Sequence, residues 1–223
     1  MTASQAKLAE FRRKAPTSKF PAEKKFRKEI GRTMLKSQIQ GSVAHQPSEA
    51  NLRSWPLQFA LAIAGSLVIA LCARASAPLP FSPIPVSLSN FGVLLIGLLL
   101  GSRVGFAAAL LFLLEGSAGL PVFSNGSLGL FGPTGGYLMA YPAVAFLVGW
   151  IWEHSPKAFI RAIAASLVAE LLLFAGGVSW LIVVFHAPLR QAANWGFYPF
   201  LVAEIAKIAA ASGIATRFRN RIN

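Results

Sequence analysis

The sequence predicts an all-α integral membrane protein, a bundle of about six transmembrane helices with both termini on the cytoplasmic side. Three observations carry this prediction. Of the 223 residues, 55% are hydrophobic and 13% charged, about half the roughly 25% charged share of a soluble domain. The apolar residues gather after position 55 in runs close to the ~20 residues that a bilayer requires. The basic residues outside the first 53 positions cluster on alternate connections, as the positive-inside rule asks.

The formal charge of +13 is unevenly distributed. Residues 1–53 hold twelve of the 21 Lys and Arg; the rest hold nine, with four Glu and no Asp. A basic balance can mean nucleic acid, but a chain whose bulk sits in hydrocarbon expects anionic lipid headgroups as counter-charge. Residues 1–52 interleave Lys7, Arg12, Arg13, Lys14, Lys24, Lys25, Arg27 and Lys28 with Phe11, Phe20 and Phe26. No apolar stretch follows the charges, so this is not a signal peptide. It reads as a disordered basic cytoplasmic tail, or as a patch lying on the inner leaflet; Met34 is an alternative start. Residues 53–223 form the membrane domain. Cys72 is a lone cysteine with no metal-ligand spacing around it, expected as a small buried side chain.

The first span is expected at about 56–75. Prolines 78, 80, 83 and 85 then forbid regular helix and favour an extended path. The run from about 90 to 115 is broken at Gly101-Ser102-Arg103, giving one tilted span or two short ones. Two spans make six in all and place Arg103, Lys157, Arg161, Arg217, Arg219 and Arg221 on the cytoplasmic side with the tail. The fourth, fifth and sixth spans are expected at about 134–152, 159–184 and 195–216. Loops 76–90, 116–133 and 185–194 then face outward. Tryptophans 55, 150, 152, 180 and 195 fall near predicted ends, as interfacial tryptophans do.

Ionisable groups within apolar spans are costly, so each is a candidate site. Glu204 and Lys207 stand at i, i+3 on one helix face, either as an ion pair that orients helices or as a clamp on a ligand. Glu115 closes the third span and carries the same two readings. Glu170 lies away from the expected mouth, which favours a packing or helix-pairing role. In Pro133-Thr134-Gly135-Gly136-Tyr137, Thr134 could cap a helix, the glycines permit close approach of backbone or ligand, and Tyr137 offers a ring with a polar tip. No Gly-Lys-Ser/Thr follows, so this is not a phosphate loop. Without Asp no Ser-His-Asp set exists, and nothing argues for an enzyme or a cofactor. Ala60 and Ala64, four apart in the first span, would let another helix approach closely.

Several segments in order resemble one family. Pro83-Ile-Pro-Val-Ser-Leu-Ser-Asn-Phe-Gly-Val93, Gly97-Leu-Leu-Leu-Gly101, Leu113-Leu-Glu-Gly-Ser-Ala-Gly-Leu-Pro-Val-Phe123 and Phe131-Gly-Pro-Thr-Gly-Gly-Tyr-Leu138 look like successive BioY signatures. Gly177-Val-Ser-Trp-Leu181 and Pro199-Phe-Leu-Val-Ala-Glu-Ile-Ala-Lys207 look like its later ones. The resemblance covers about 55–215 and leaves the tail without a counterpart. It implies a six-helix S component of an energy-coupling-factor (ECF) transporter in the cell membrane, one that captures biotin from outside. A transmembrane scaffold subunit and two ATPase subunits would supply the energy, ATP being hydrolysed by the partners. It also implies that Ala60 and Ala64 dock the scaffold. The family's last helix carries Asp three residues before Lys near biotin, which maps onto Glu204 and Lys207, one methylene longer at the first position. A family Asn in the loop after the third helix maps onto Asn125. Phe123, Phe131 and Tyr137 could enclose the ring system. The alternatives are an S component for another small vitamin, such as thiamine or riboflavin, and a structural or assembly membrane protein without ligand.

Overall fold

In a computed structural model, the described residues are 55–124, 129–155 and 158–219. The tail expected at 1–52, Asn125, Lys157 and Arg221 lie outside them. Helix α1, Trp55–Arg74, leads into an antiparallel hairpin of β1, Ser76–Leu79, and β2, Ser82–Ser87. Helices α2 (Ser89–Ser117), α3 (Gly135–Glu153), α4 (Phe159–Val184), the short α5 (Leu189–Gly196) and α6 (Leu201–Arg219) follow. Among the described residues, five helical segments are long and apolar enough to cross a membrane: Trp55–Arg74, Ser89–Ser117, Gly135–Glu153, Phe159–Val184 and Leu189–Phe218. The proline-rich stretch does run extended, and it pairs with itself as a ribbon rather than forming an open loop.

Helix α2 is not straight. Gly101 sits at φ 84°, ψ 180° inside it, a conformation that side-chain-bearing residues avoid. Eight residues of straight helix span about 12 Å. Yet a Cβ placed on Gly105 would lie 3.0 Å from the Gly97 Cα. The chain therefore folds back at Gly101, and 89–100 packs against 102–117. Small residues make this possible. Gly65 of α1 faces both Ile96 and Ala108, and a Cβ there would come within 2.8 Å of the Ala108 Cβ. Gly97 sits against Val148 and the Ala145 carbonyl of α3. At the turn, Glu153 at the end of α3 accepts hydrogen bonds from the Ser102 N–H and Oγ–H, both at 2.8 Å.

The last span is not one continuous helix. Residues 189–196 form α5, a 3-10 turn covers Tyr198–Phe200, and α6 starts at Leu201 rather than near 195. Pro199 opens that turn; lacking an N–H, it cannot continue a helix arriving from α5. The core runs down the bundle axis through Val93, Leu94, Phe112, Val144, Val148, Ala165 and Ala211. Helix α1 is the most peripheral: 28% of its apolar window is buried, against 61% for α3. Its buried stripe is Ala62, Gly65, Ser66, Ile69 and Ala73, so Ala60 and Ala64 lie on the exposed side.

Candidate binding site beneath the β-hairpin

At the hairpin end of the bundle, a cavity of about 50 Å³ is enclosed by five elements. Strand β2 and its exit contribute Ile84, Pro85 and Ser87. The start of α2 contributes Ser89 and Asn90. Helix α3 supplies Tyr137, Leu138 and Tyr141, with Thr134 just ahead of it. Helix α4 supplies Leu173 and Phe174. Glu204 and Lys207 come from the start of α6, Phe200 from the 3-10 turn before it, and Ser124 from the loop after α2.

The polar side of this cavity is a buried network. Lys207 Nζ donates to Glu204 Oε1 at 2.6 Å. The Asn90 amide nitrogen donates to Glu204 Oε2 at 2.8 Å and lies 3.1 and 2.9 Å from the two oxygens of Glu170. All four residues are at most 6% exposed. One ammonium and two carboxyl groups thus share a desolvated site, bridged by one amide. Glu204 lies in the first turn of α6, where the helix dipole favours negative charge. Beside the network, Ser89 Oγ and the Tyr141 hydroxyl are 2.6 Å apart.

The candidates from sequence divide clearly. Glu204, Lys207 and Tyr137 line the cavity. Tyr137 is also wedged in place: its ring lies against Gly177, and its hydroxyl donates to the Gly196 carbonyl at 2.8 Å. Glu115 is elsewhere, accepting from Ser66 Oγ at 2.7 Å between α2 and α1. Phe123 packs edge-on against Phe112, with ring centroids 5.3 Å apart. Phe131 is 83% exposed. Neither Phe lines the cavity, since the loop carrying them turns its aromatic groups sideways and outward. Thr134 takes the N-cap position of α3 but makes no side-chain cap bond. Gly136 fits under Trp180 and against the Gly176 carbonyl, so here the close approach is helix on helix. Cys72 is free and half-buried.

Sequence reasoning missed Asn90 and gave Glu170 a packing or helix-pairing role, and Glu170 does join α4 to α2 through Asn90. Asn90 follows Ser87-Leu88-Ser89, a polar stretch at a helix start, where Asn commonly serves local backbone bonding. Its intramembrane position opposite a charged helix was the usable signal. Glu170, an ionisable group within a span, does not itself line the cavity.

Comparison with known proteins agrees with this geometry. The sequence profile of the BioY family matches residues 45–223. The chain is 35% identical over 146 residues to "Biotin transporter BioY2" of Lactococcus lactis, covering 64% of this chain and 79% of that protein. It is 35% identical over 144 residues to "Biotin transporter BioY" of Thermotoga maritima, covering 63% and 84%. Its fold matches the crystal structure of the S-component for biotin from an ECF-type ABC transporter with a TM-score of 0.66 and 26% identity, covering 73% of this chain and 90% of that one. Membrane-length helices, small-residue packing and a buried polar cavity at one end therefore meet in a chain that belongs to the BioY family.

Proposed function

We propose that this protein is the biotin-capturing S component of an ATP-driven ECF-type importer in the cell membrane. The observation that carries the reading is Asn90, Glu204 and Lys207 on the wall of a cavity also lined by Leu138, Tyr141, Leu173, Phe174 and Phe200, with Glu170 bonded to Asn90 from outside that wall. Biotin presents two ureido N–H donors, a carbonyl, a carboxylate and an apolar ring. The network offers acceptors and one cation for the polar groups, and the remaining wall offers apolar contact. Asn125 and Ser124 would meet the ligand from the loop side.

Small-molecule sites commonly measure about 300–1,000 Å³, so the present cavity must widen to admit a vitamin. The β-hairpin covers the cavity with Ile84, Pro85 and Ser87, and it is held by Ser82 Oγ donating to the Trp195 carbonyl at 2.6 Å. We read six membrane crossings, counting 89–100 and 102–117 separately, with the hairpin end outside. The reversal at Gly101 supports the count. The exposed Arg103, Arg161 and Arg217 at the opposite end support the orientation. The exposed small face at Ala60 and Ala64 supports docking to a scaffold subunit that joins two ATPases.

Equilibrium dialysis of purified protein with labelled biotin tests the reading: near 1:1 binding is expected. Biotin at 100 times its dissociation constant should also stabilise the protein by about 2.7 kcal/mol. Stabilisation by thiamine or riboflavin but not biotin would reassign the vitamin, and no response to any vitamin would leave the structural reading.

A further inference from the structure

Asn90 is bonded on one side only. Its amide nitrogen faces three carboxylate oxygens, two of Glu170 and one of Glu204. Its carbonyl oxygen Oδ1 is buried and has no partner. Among the described residues, it is the one buried, unpartnered side-chain oxygen that belongs to a residue lining the cavity. Each of the four carboxylate oxygens of the network faces a donor: the two hydrogens of the Asn90 amide are shared among both oxygens of Glu170 and one of Glu204, and Lys207 takes the other oxygen of Glu204.

An amide can in general be turned over, exchanging its nitrogen and oxygen. With both glutamates ionised, that would set Oδ1 against three acceptor oxygens at 2.8 to 3.1 Å. The two glutamates therefore dictate which way round the amide sits, and the carbonyl is what remains. A buried acceptor without a donor is unfavourable, and an N–H donor entering the cavity would satisfy it.

We propose that Asn90 is a ligand-contacting residue whose Oδ1 accepts a hydrogen bond from an N–H of the bound solute, and that Glu170 is a positioning residue holding the amide in that sense. This rests on the biotin-capture reading and refines it. The site then distinguishes an N–H from an isosteric oxygen at one edge of the ureido ring. Glu170 touches no ligand; it acts through Asn90.

The test uses biotin and its two cyclic carbamate analogues, in which one or the other ureido N–H is replaced by a ring oxygen. The wild type should reject one of them by on the order of 100-fold or more, since a site built to accept an N–H leaves its acceptor unpaired against an analogue lacking it. In Asn90→Leu that ratio should fall below about tenfold. Glu170→Gln keeps the size and a polar partner but can either donate or accept, so the amide is no longer held one way. It guards against a folding defect in the first variant. Its ratio should fall at least about fivefold, with the ligand-free melting temperature nearly unchanged. Retention of the wild-type ratio in Glu170→Gln overturns the positioning role, and retention in Asn90→Leu overturns the contact. Wild-type binding of biotin with equal affinity for both carbamates also overturns the contact while leaving biotin capture intact. Failure of the wild type to bind biotin removes both.

Discussion

At the Gly101 turn, Glu153 accepts two hydrogen bonds from one residue, Ser102, and stays exposed. At the cavity, Glu204 and Glu170 are buried, divide their bonds between an amide and an ammonium, and leave an Asn90 oxygen without a donor. Both arrangements hold helices together. Only the second has polar capacity to spare, and that surplus in a low-dielectric setting marks a binding site. A satisfied carboxylate at a helix end reads as a clasp; a partly satisfied network beside a cavity reads as a receptor.

The comparison is easiest to break at Lys207. Lys207→Ala should weaken biotin binding by about 2–5 kcal/mol, the range for removing one partner of a buried charged pair; unchanged affinity by dialysis would take Lys207 out of the site. Ala64→Leu comes next. It should leave biotin affinity intact yet reduce co-purification with the scaffold subunit by about tenfold, because a larger side chain blocks close helix approach. Undiminished co-purification would move the docking face elsewhere. Glu153→Ala should lower stability by about 1 kcal/mol, since water replaces much of what the exposed carboxylate provides. Biotin affinity of the folded fraction should stay within twofold. A large loss of affinity would mean that the clasp and the cavity are coupled through α3. The smallest effect is expected from Glu115→Gln, which should shift the biotin dissociation constant less than about twofold, as Glu115 pairs with Ser66 away from the cavity.

Much of this was readable in advance. Trp55–Arg74 and Phe159–Val184 match the expected 56–75 and 159–184, because an uninterrupted apolar run of membrane length has one stable outcome: a helix that satisfies its own backbone. The break at Gly101-Ser102-Arg103 was visible, but whether the chain kinked or reversed depended on Gly97 and Gly105 meeting across it. The break within the last span was not foreseen, because an apolar count passes through Trp195–Phe200, where Pro199 interrupts the backbone. Within the site, Glu204 and Lys207 were legible as near neighbours. Asn90, 80 positions from Glu170 and 114 from Glu204, was not.

The sequence by itself determined that this chain lives in a membrane, roughly where its helices run, and to which family it belongs. Those follow from local composition and short motifs, which lipid reads segment by segment. Only the tertiary structure decided which of the membrane domain's four glutamates meet in one buried network, which is paired off with a serine, and which amide bridges two of them. Those outcomes depend on how each helix is rotated against its neighbours. That rotation is set by glycines and alanines scattered across the chain, whose contacts no single stretch of sequence contains.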